Sequence, residues 1–331
     1  MKFTEESKRS NDPEQEGIPV LGVLKPGFQT MIQDLGRTGQ LRHGVPSGGA
    51  MDRYAFRIAN ELVDNLENSP CLEITLTGLR IEILRDCVMA ITGARLSPQI
   101  DGKSVVTWQS FTVNRGAQLC FSKRENGCRA YLSVGGGFQG DPVLGSCSTD
   151  LRNHWGGTRG RALMAGDILR TNHEPAKRSA LTCRKVRPDI FRTYDDPLTL
   201  RVIVGPQIEC FSRAAMRQLF DGVYRVRSDS DRMGYRLQGS ILQANRPEII
   251  SDPIPVGALQ VLPNGQLILL MMDRPTVGGY PKIAVVCSAD FPKAAQLNIG
   301  DSVRFKEVTL NEALELLREQ EERLREGIVV D

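Results

Sequence analysis

The run A-L-Q-V-L-P-N-G-Q-L-I-L-L-M-M, residues 258–272, decides the fold class. Two apolar segments flank Pro263, Asn264 and Gly265, and an Asn-Gly pair favours the positive φ angles of a tight turn, so the run reads as a β-hairpin. It also lies in the one long uncharged stretch, Ile254 to Met272, which Pro255, Pro263, Asn264 and Gly265 interrupt. Those breaks suit a hairpin and exclude a membrane span.

Outward from the hairpin the same grain continues. LTLRVIVG, YRVRS, KIAVVCS and SVRF are short apolar runs, with a helical stretch around Phe211 to Phe220. The first half repeats the pattern in LEITLTG, LRIEIL, CVMAITGA, FTVNRGAQLCF, RAYLSVGGGF and DILRT, bounded by glycines. One helix interrupts it: Asp52 can cap a segment to about Val63, in which Ala55, Ile58, Ala59, Leu62 and Val63 recur at helical spacing. The chain is therefore mainly β, with few helices.

The two halves also end alike. AGDILRTN at 165–172 and IGDSVRFK at 299–306 share Gly-Asp, an apolar residue and Arg, which points to internal duplication. After the second half, Thr309 and Glu312 form a capping-box pattern. Leu310, Ala313, Leu314, Leu317 and Leu324 make a helical stripe ending at Gly327.

At about 150 residues per domain, 331 residues suggest two. The expected division is a disordered tail over 1–18, which lacks hydrophobic periodicity, then a domain over 19–176 and a basic linker over 177–197. A second domain over 198–308 and a C-terminal helix over 309–327 complete it.

With 42 basic and 39 acidic residues the net charge is +3, too balanced for a general polyanion binder, so nucleic acid is not expected as a partner. Arg outnumbers Lys by 32 to 10, which favours bidentate capture of small anions. The N-terminus, MKFTEESKRSNDPEQEG, has no apolar signal core. The eight cysteines are accordingly expected to be thiols in a reducing cytoplasm.

Several chemistries lack their motifs. There is no P-loop, no GxSxG elbow and no CxxC pair, and His43, His154 and His173 stand in no ligand spacing, so no metal site is expected. Cys147, in the loop LGSCSTD, is the one cysteine placed for reactivity. An Ala-Met-Lys-Met biotin acceptor is also absent.

Three polar clusters combine turn glycines with ionisable groups. They are Gln33–Arg37 leading to Gly48–Asp52, then Asp229 to Gly234, and finally Asp273 to Lys282. Internal Asp–Arg pairs could order each as a plain loop. The third is the most suggestive: MMDRPTVGGYPK follows an apolar strand and sets Asp273, Arg274, Thr276, Tyr280 and Lys282 around Gly278 and Gly279. Backbone N–H groups at these glycines could receive a developing oxyanion.

The same segments carry a family resemblance. In the first half stand PGFQTMIQDLGRTG (26–39), GVPSGGAMDRYAFRIANELVDN (44–65), LEITLTG (72–78), YLSVGGGF (131–138) and GSCSTD (145–150). In the second are VGPQ (204–207), SDRMGYRL (230–237), ISDPIPVGALQV (250–261), MDRPTVGGYPKIAVV (272–286) and AAQLNIGDSVRF (294–305). In these motifs the chain resembles the family called allophanate hydrolase subunit 2, or biotin-dependent carboxyltransferase. That family includes the C subunit of 5-oxoprolinase, the antagonist of the KipI kinase inhibitor and the carboxyltransferase region of urea carboxylase.

The resemblance implies two tandem cyclophilin-like β-barrel domains. It implies a C subunit that works with a KipI-like B subunit, together with an A subunit, in ATP-dependent hydrolysis of 5-oxo-L-proline to L-glutamate. One alternative is carboxyl transfer from carboxybiotin, carried on another chain, to a urea-like or amide nitrogen. The other is regulation by binding a KipI-like inhibitor.

Under the leading reading Asp273, Tyr280 and Lys282 are candidates for proton transfer or positioning, and Arg232, Arg274, Thr276, Gly278 and Gly279 for substrate binding. Gln33, Asp34, Arg37 and Asp52 are possible contributors from the first half. Cys147, where the family commonly has a basic residue, and Pro275 and Val277, in place of DRQTTGGY, depart from its wording.

Overall fold

The computed structural model describes residues 17–173, 184–190, 194 and 197–330. The expected tail therefore lies outside the described residues except for its last two, and Ile18 already begins the strand Ile18–Pro26. Of the expected linker, the described part is ordered. Arg184–Val186 pairs antiparallel with Ile328–Val330, and a 3-10 turn follows at Pro188–Ile190.

The described residues fall into two compact units. The first takes those up to Gly36, Arg53–Arg192 and Glu326 onward, and the second takes Arg37–Asp52 and Thr193–Arg325. Residues 37–52 thus group with the second unit, although the sequence places them inside the first domain. Met51 lies in the second unit's core, and the Asp52 carboxylate accepts from Gln296 Nε2 at 2.8 Å. These are contacts across more than 200 residues of chain, which local periodicity cannot reveal.

In the first unit a six-stranded and a five-stranded sheet share one apolar core. Leu79, Ile81 and Ile83 point into it while Arg80 and Glu82 alternate outward, the period of a half-buried strand. By contrast Cys87–Arg95 and Asn126–Val134 are buried almost throughout. Their other face is covered by helix α1 (Arg53–Leu62). Thr92 Oγ1 donates to the Ala55 carbonyl at 2.7 Å, and Phe56 meets Tyr131 edge to face at 6.1 Å. That covered face also buries Glu73, which accepts from Tyr131 Oη at 2.7 Å and lies 3.8 Å from Arg129 Nε.

In the second unit seven strands close a barrel. In spatial order they are Leu198–Val204, Lys282–Val286, Ala258–Val261, Leu267–Leu270, Gly234–Gln238, Tyr224–Val226 and Ser302–Glu307. The last closes on the first in parallel register, Leu198 beside Val303. Closure leaves no open sheet edge, and one core of aliphatic and aromatic side chains fills the interior. Helix α2 (Arg213–Asp221) is capped by Ser212, whose hydroxyl accepts from the Ala215 N–H, and the short helix α3 spans Phe291–Ala294.

The hairpin expected at 258–272 forms, with Leu259 opposite Leu269, but its turn differs from the Asn-Gly type. The Gly265 N–H bonds the Leu262 carbonyl, and Gly265 alone, at φ 77°, takes the left-handed region. Pro263 fixes a negative φ at the first turn position, so a turn needing positive φ there is closed to this sequence. The left-handed residue falls one place later.

The two similar chain ends fold into the same device. Gly166 and Gly300 have φ of 95° and 88°. The Asp167 carboxylate caps the Met164 N–H at 2.7 Å, and Asp301 caps that of Asn298 at 2.9 Å. Gly166 N–H bonds Val23 O while Val23 N–H bonds Asp167 O; Gly300 and Asp301 make the same pair of bonds with Val226. Equivalent hydrogen bonds at equivalent residues support internal duplication.

Helix α4 (Leu310–Glu326) starts with the expected capping box: the Glu312 carboxylate accepts from the Thr309 N–H at 2.7 Å, and Thr309 Oγ1 accepts from the Glu312 N–H at 3.2 Å. Thr309→Ala is expected to cost about 1 kcal/mol in urea unfolding, with helical circular dichroism lost mainly from this element. The expected stripe is only partly buried. Ala313 and Leu324 are covered, Ala313 against Cys287 and Ala289 just past the barrel strand Lys282–Val286, whereas Leu310 and Leu314 are exposed. Among the described residues no helix is long and apolar enough to cross a membrane, and the seven described cysteines are free thiols.

Candidate active site

The third polar cluster leaves and re-enters the barrel of the second unit. Leu267–Leu270 ends in the buried pair Met271 and Met272, and the chain re-enters the barrel at Lys282. Between them Val277–Gly278 pairs antiparallel with Asp252–Pro253, a two-stranded ribbon outside the barrel sheet. The apolar strand ends anchor the loop, and the polar residues between them make up the candidate site.

Lys282 is the largest polar commitment of this region. Its side chain is 1% exposed, and its Nζ donates to Asp252 Oδ2 at 2.7 Å. Gln207 completes the group: its Oε1 accepts from the Lys282 N–H at 3.1 Å and its Nε2 donates to Asp252 Oδ2 at 3.1 Å. The Asp252 side chain is 42% exposed, so the ammonium is covered and the carboxylate faces outward. The hydrogen bond from Lys282 dominates the Asp252 carboxyl. Desolvation opposes it, and the Lys282 charge and the Gln207 amide reinforce it, which holds the acid below the usual range. A carboxylate held ionised in this way is a weak proton acceptor but a strong acceptor of N–H hydrogen bonds.

A second ion pair ties three loops together. Asp273 accepts from Arg232 Nε at 2.8 Å and from its Nη2 at 3.1 Å, and Nη2 also donates to the Gly49 carbonyl at 2.7 Å. The Arg232 side chain is 6% exposed. Both Asp273 oxygens are therefore engaged by one guanidinium, a geometry that positions loops more readily than it carries protons. Arg274, also buried, donates from Nε to the Ile254 carbonyl at 2.8 Å.

The remaining residues of the loop hold its shape. The Thr276 carbonyl accepts from the Ile254 N–H, and the Gly279 carbonyl from the Ile249 N–H. Neither Gly278 nor Gly279 adopts a left-handed φ; a Cβ on Gly278 would lie 2.8 Å from Ile254 Cδ1, so a larger residue there would have to displace the end of that side chain. Tyr280 presents its ring at the surface with 37% exposure, while its carbonyl accepts from Gln260 Nε2 at 3.1 Å.

The four first-half candidates divide between the units. In the second, Arg37 bonds Ser47 through its N–H. Arg37 Nη1 and Asp273 Oδ1 both come within 4 Å of where a Gly48 Cβ would stand. Asp52 accepts from Gln296. In the first, Gln33 donates to the Thr149 carbonyl, and Asp34 is caged by the hydroxyls of Ser146 and Ser148 and the N–H groups of Gly36 and Cys147. Asp34 thus fastens the GSCSTD loop to the QDLG turn, and Cys147 is part of that fastening, its Sγ against the Gly140 carbonyl at 3.3 Å.

Asp252, Gln207 and Gln260 are not marked as site residues by the sequence. Each stands in a recognisable motif, ISDPIPVGALQV or VGPQ. Neither motif shows the ionic clusters that draw attention to Asp273–Lys282.

Comparison with known proteins agrees with these motifs. The chain is 38% identical over 303 residues to the 5-oxoprolinase C subunit of Haemophilus influenzae, covering 91% of this chain and 96% of the relative. It is 31% identical to the urea amidolyase of Lachancea kluyveri, spanning 90% of this chain but only 17% of that protein. The crystal structure of Kluyveromyces lactis urea carboxylase superposes with a TM-score of 0.86 at 31% identity, over 95% of this chain and 30% of the other. The model of the carboxyltransferase domain, subdomain A and B, matches residues 43–307, which contain every residue of the Asp252 and Asp273 clusters. The chain belongs to the carboxyltransferase-domain family, subdomains A and B.

Proposed function

We propose that the chain is the C subunit of a 5-oxoprolinase complex, which with its A and B subunits uses ATP to hydrolyse 5-oxo-L-proline to L-glutamate. The observation that carries this reading is the 38% identity sustained over 96% of the length of a 5-oxoprolinase C subunit. Water adds across the lactam amide as the C–N bond breaks. The carbonyl carbon becomes the side-chain carboxylate, and the ring nitrogen becomes the free amine of glutamate.

The Asp252 cluster suits this substrate class. A secondary lactam presents one N–H beside its carbonyl, and an outward-facing ionised carboxylate accepts that N–H and orients the ring. Tyr280, exposed two residues beyond this ribbon, and the backbone at Gly279 are assigned to the carbonyl side, since the Gly278 N–H is taken up by the ribbon pairing with Asp252. Arg232 and Arg274 have donors committed to Asp273 and to Ile254, so they build the loop that presents these groups. ATP is assigned to the complex, since this sequence carries no P-loop.

The urea carboxylase likeness supports a second reading, in which the same carboxylate holds a urea-type N–H during carboxyl transfer from a biotin on another chain. ATP hydrolysis by the three-subunit mixture separates the two. Stimulation by 5-oxoproline and not by urea with biotinylated carrier is the expected outcome; the reverse would favour carboxyl transfer.

A further inference from the structure

The strand Leu198–Val204 ends at the barrel rim, and the chain turns there through Gly205, Pro206 and Gln207. This hook closes on Lys282. The Gly205 N–H bonds the Ile283 carbonyl at 2.9 Å, and a Cβ on Gly205 would collide with the Lys282 carbonyl oxygen, so only glycine lets the two backbones approach. Pro206 restricts the backbone beyond that contact. Gln207 then reaches both members of the ion pair with one rigid amide group, accepting from the Lys282 N–H and donating to Asp252 Oδ2.

We propose that Gln207 is a positioning residue of the site, fixing the Asp252 carboxylate on Lys282 Nζ so that one carboxylate oxygen is filled from within and the other is turned toward substrate. The assignment rests on the functional reading only for the identity of that substrate. Oδ2 receives both Lys282 Nζ and Gln207 Nε2, at 2.7 and 3.1 Å, and these two donors set its orientation. Among the described residues, Lys282 is the charged group that acts on Asp252, and Gln207 the neutral one. A planar amide touching the cation's own backbone and the anion's oxygen holds their separation in a way that a charge pair alone does not, because an ammonium on a four-carbon stem has no preferred direction.

The test titrates Asp252 directly. Carbon-13 NMR of the aspartate carboxyls, with the Asp252 signal identified by its loss in Asp252→Asn, follows its midpoint in the wild-type chain and in Gln207→Met, which keeps length and removes both amide bonds. Loss of a donor to the charged form weakens that form, so the midpoint is expected to move upward while staying below the ordinary aspartate value, because the larger Lys282 contribution remains. The turnover number of the three-subunit reaction is expected to fall about tenfold with KM little changed. Should the Met variant fail to fold, Gln207→Glu keeps an acceptor for the Lys282 N–H and is expected to shift Asp252 further upward, through a neighbouring carboxylate. An unchanged midpoint in a folded variant overturns the proposal. The titration needs neither ATP nor partners, so an inactive three-subunit mixture would count against the 5-oxoprolinase reading and leave this result standing.

Discussion

Asp273→Ala is expected to destabilise the second unit by about 3 kcal/mol, read as a lower urea midpoint with unchanged slope. The wild-type carboxylate makes two charge-assisted bonds to a guanidinium that is 6% exposed. Removing it leaves a buried cation without those bonds, and the cost is set by that stranded charge more than by the worth of the pair. Arg232 also holds the Gly49 carbonyl, so the loops around Gly49, Arg232 and Asp273 should loosen together. Asp273→Asn, which retains one acceptor, should recover part of the loss. A change below about 0.5 kcal/mol for the alanine variant would show that the bridge is an ordinary surface pair.

The second large effect is on turnover. Asp252→Asn, which keeps an acceptor for the Lys282 ammonium, should lower glutamate formation by the reconstituted complex about 100-fold. Asp252→Ala should also destabilise the second unit, because it strands an ammonium whose side chain is 1% exposed. Lys282→Met should cost less, about tenfold, since a side chain that is 1% exposed acts through Asp252 and not on substrate directly. The ordering is what matters. If Lys282→Met proved the more damaging in a folded protein, the lysine itself would have to meet the reacting atoms.

The architecture is legible in the sequence where local rules apply. Alternating runs such as LRIEI, the Thr309–Glu312 capping box and the repeated Gly-Asp turns all follow from spacing within a few residues, and each forms as expected. The hairpin turn departs from its expected type because Pro263 overrides the Asn-Gly preference beside it.

The site is legible in part. Asp273 and Lys282 stand out through clustered charge, but their partners lie 41 and 30 residues away in the chain. Asp252 looks like a turn residue before Pro253, and Gln207 like the polar end of a strand. Only the barrel register, which seats Lys282 beside Gln260 and under Gly205, brings them to one place. Residues 37–52 show the same limit: their contacts with Arg232, Gln296 and the second core are set by tertiary packing, and their sequence has no period that announces it.

The central claim is that this chain is an indispensable component of 5-oxoproline hydrolysis. The most direct measurement is glutamate release from 5-oxoproline and ATP by the chain mixed with its A and B partners, with each component omitted in turn. The account predicts release in the complete mixture and its loss when this chain alone is left out. Undiminished release without the chain, or none in the complete mixture, would contradict it.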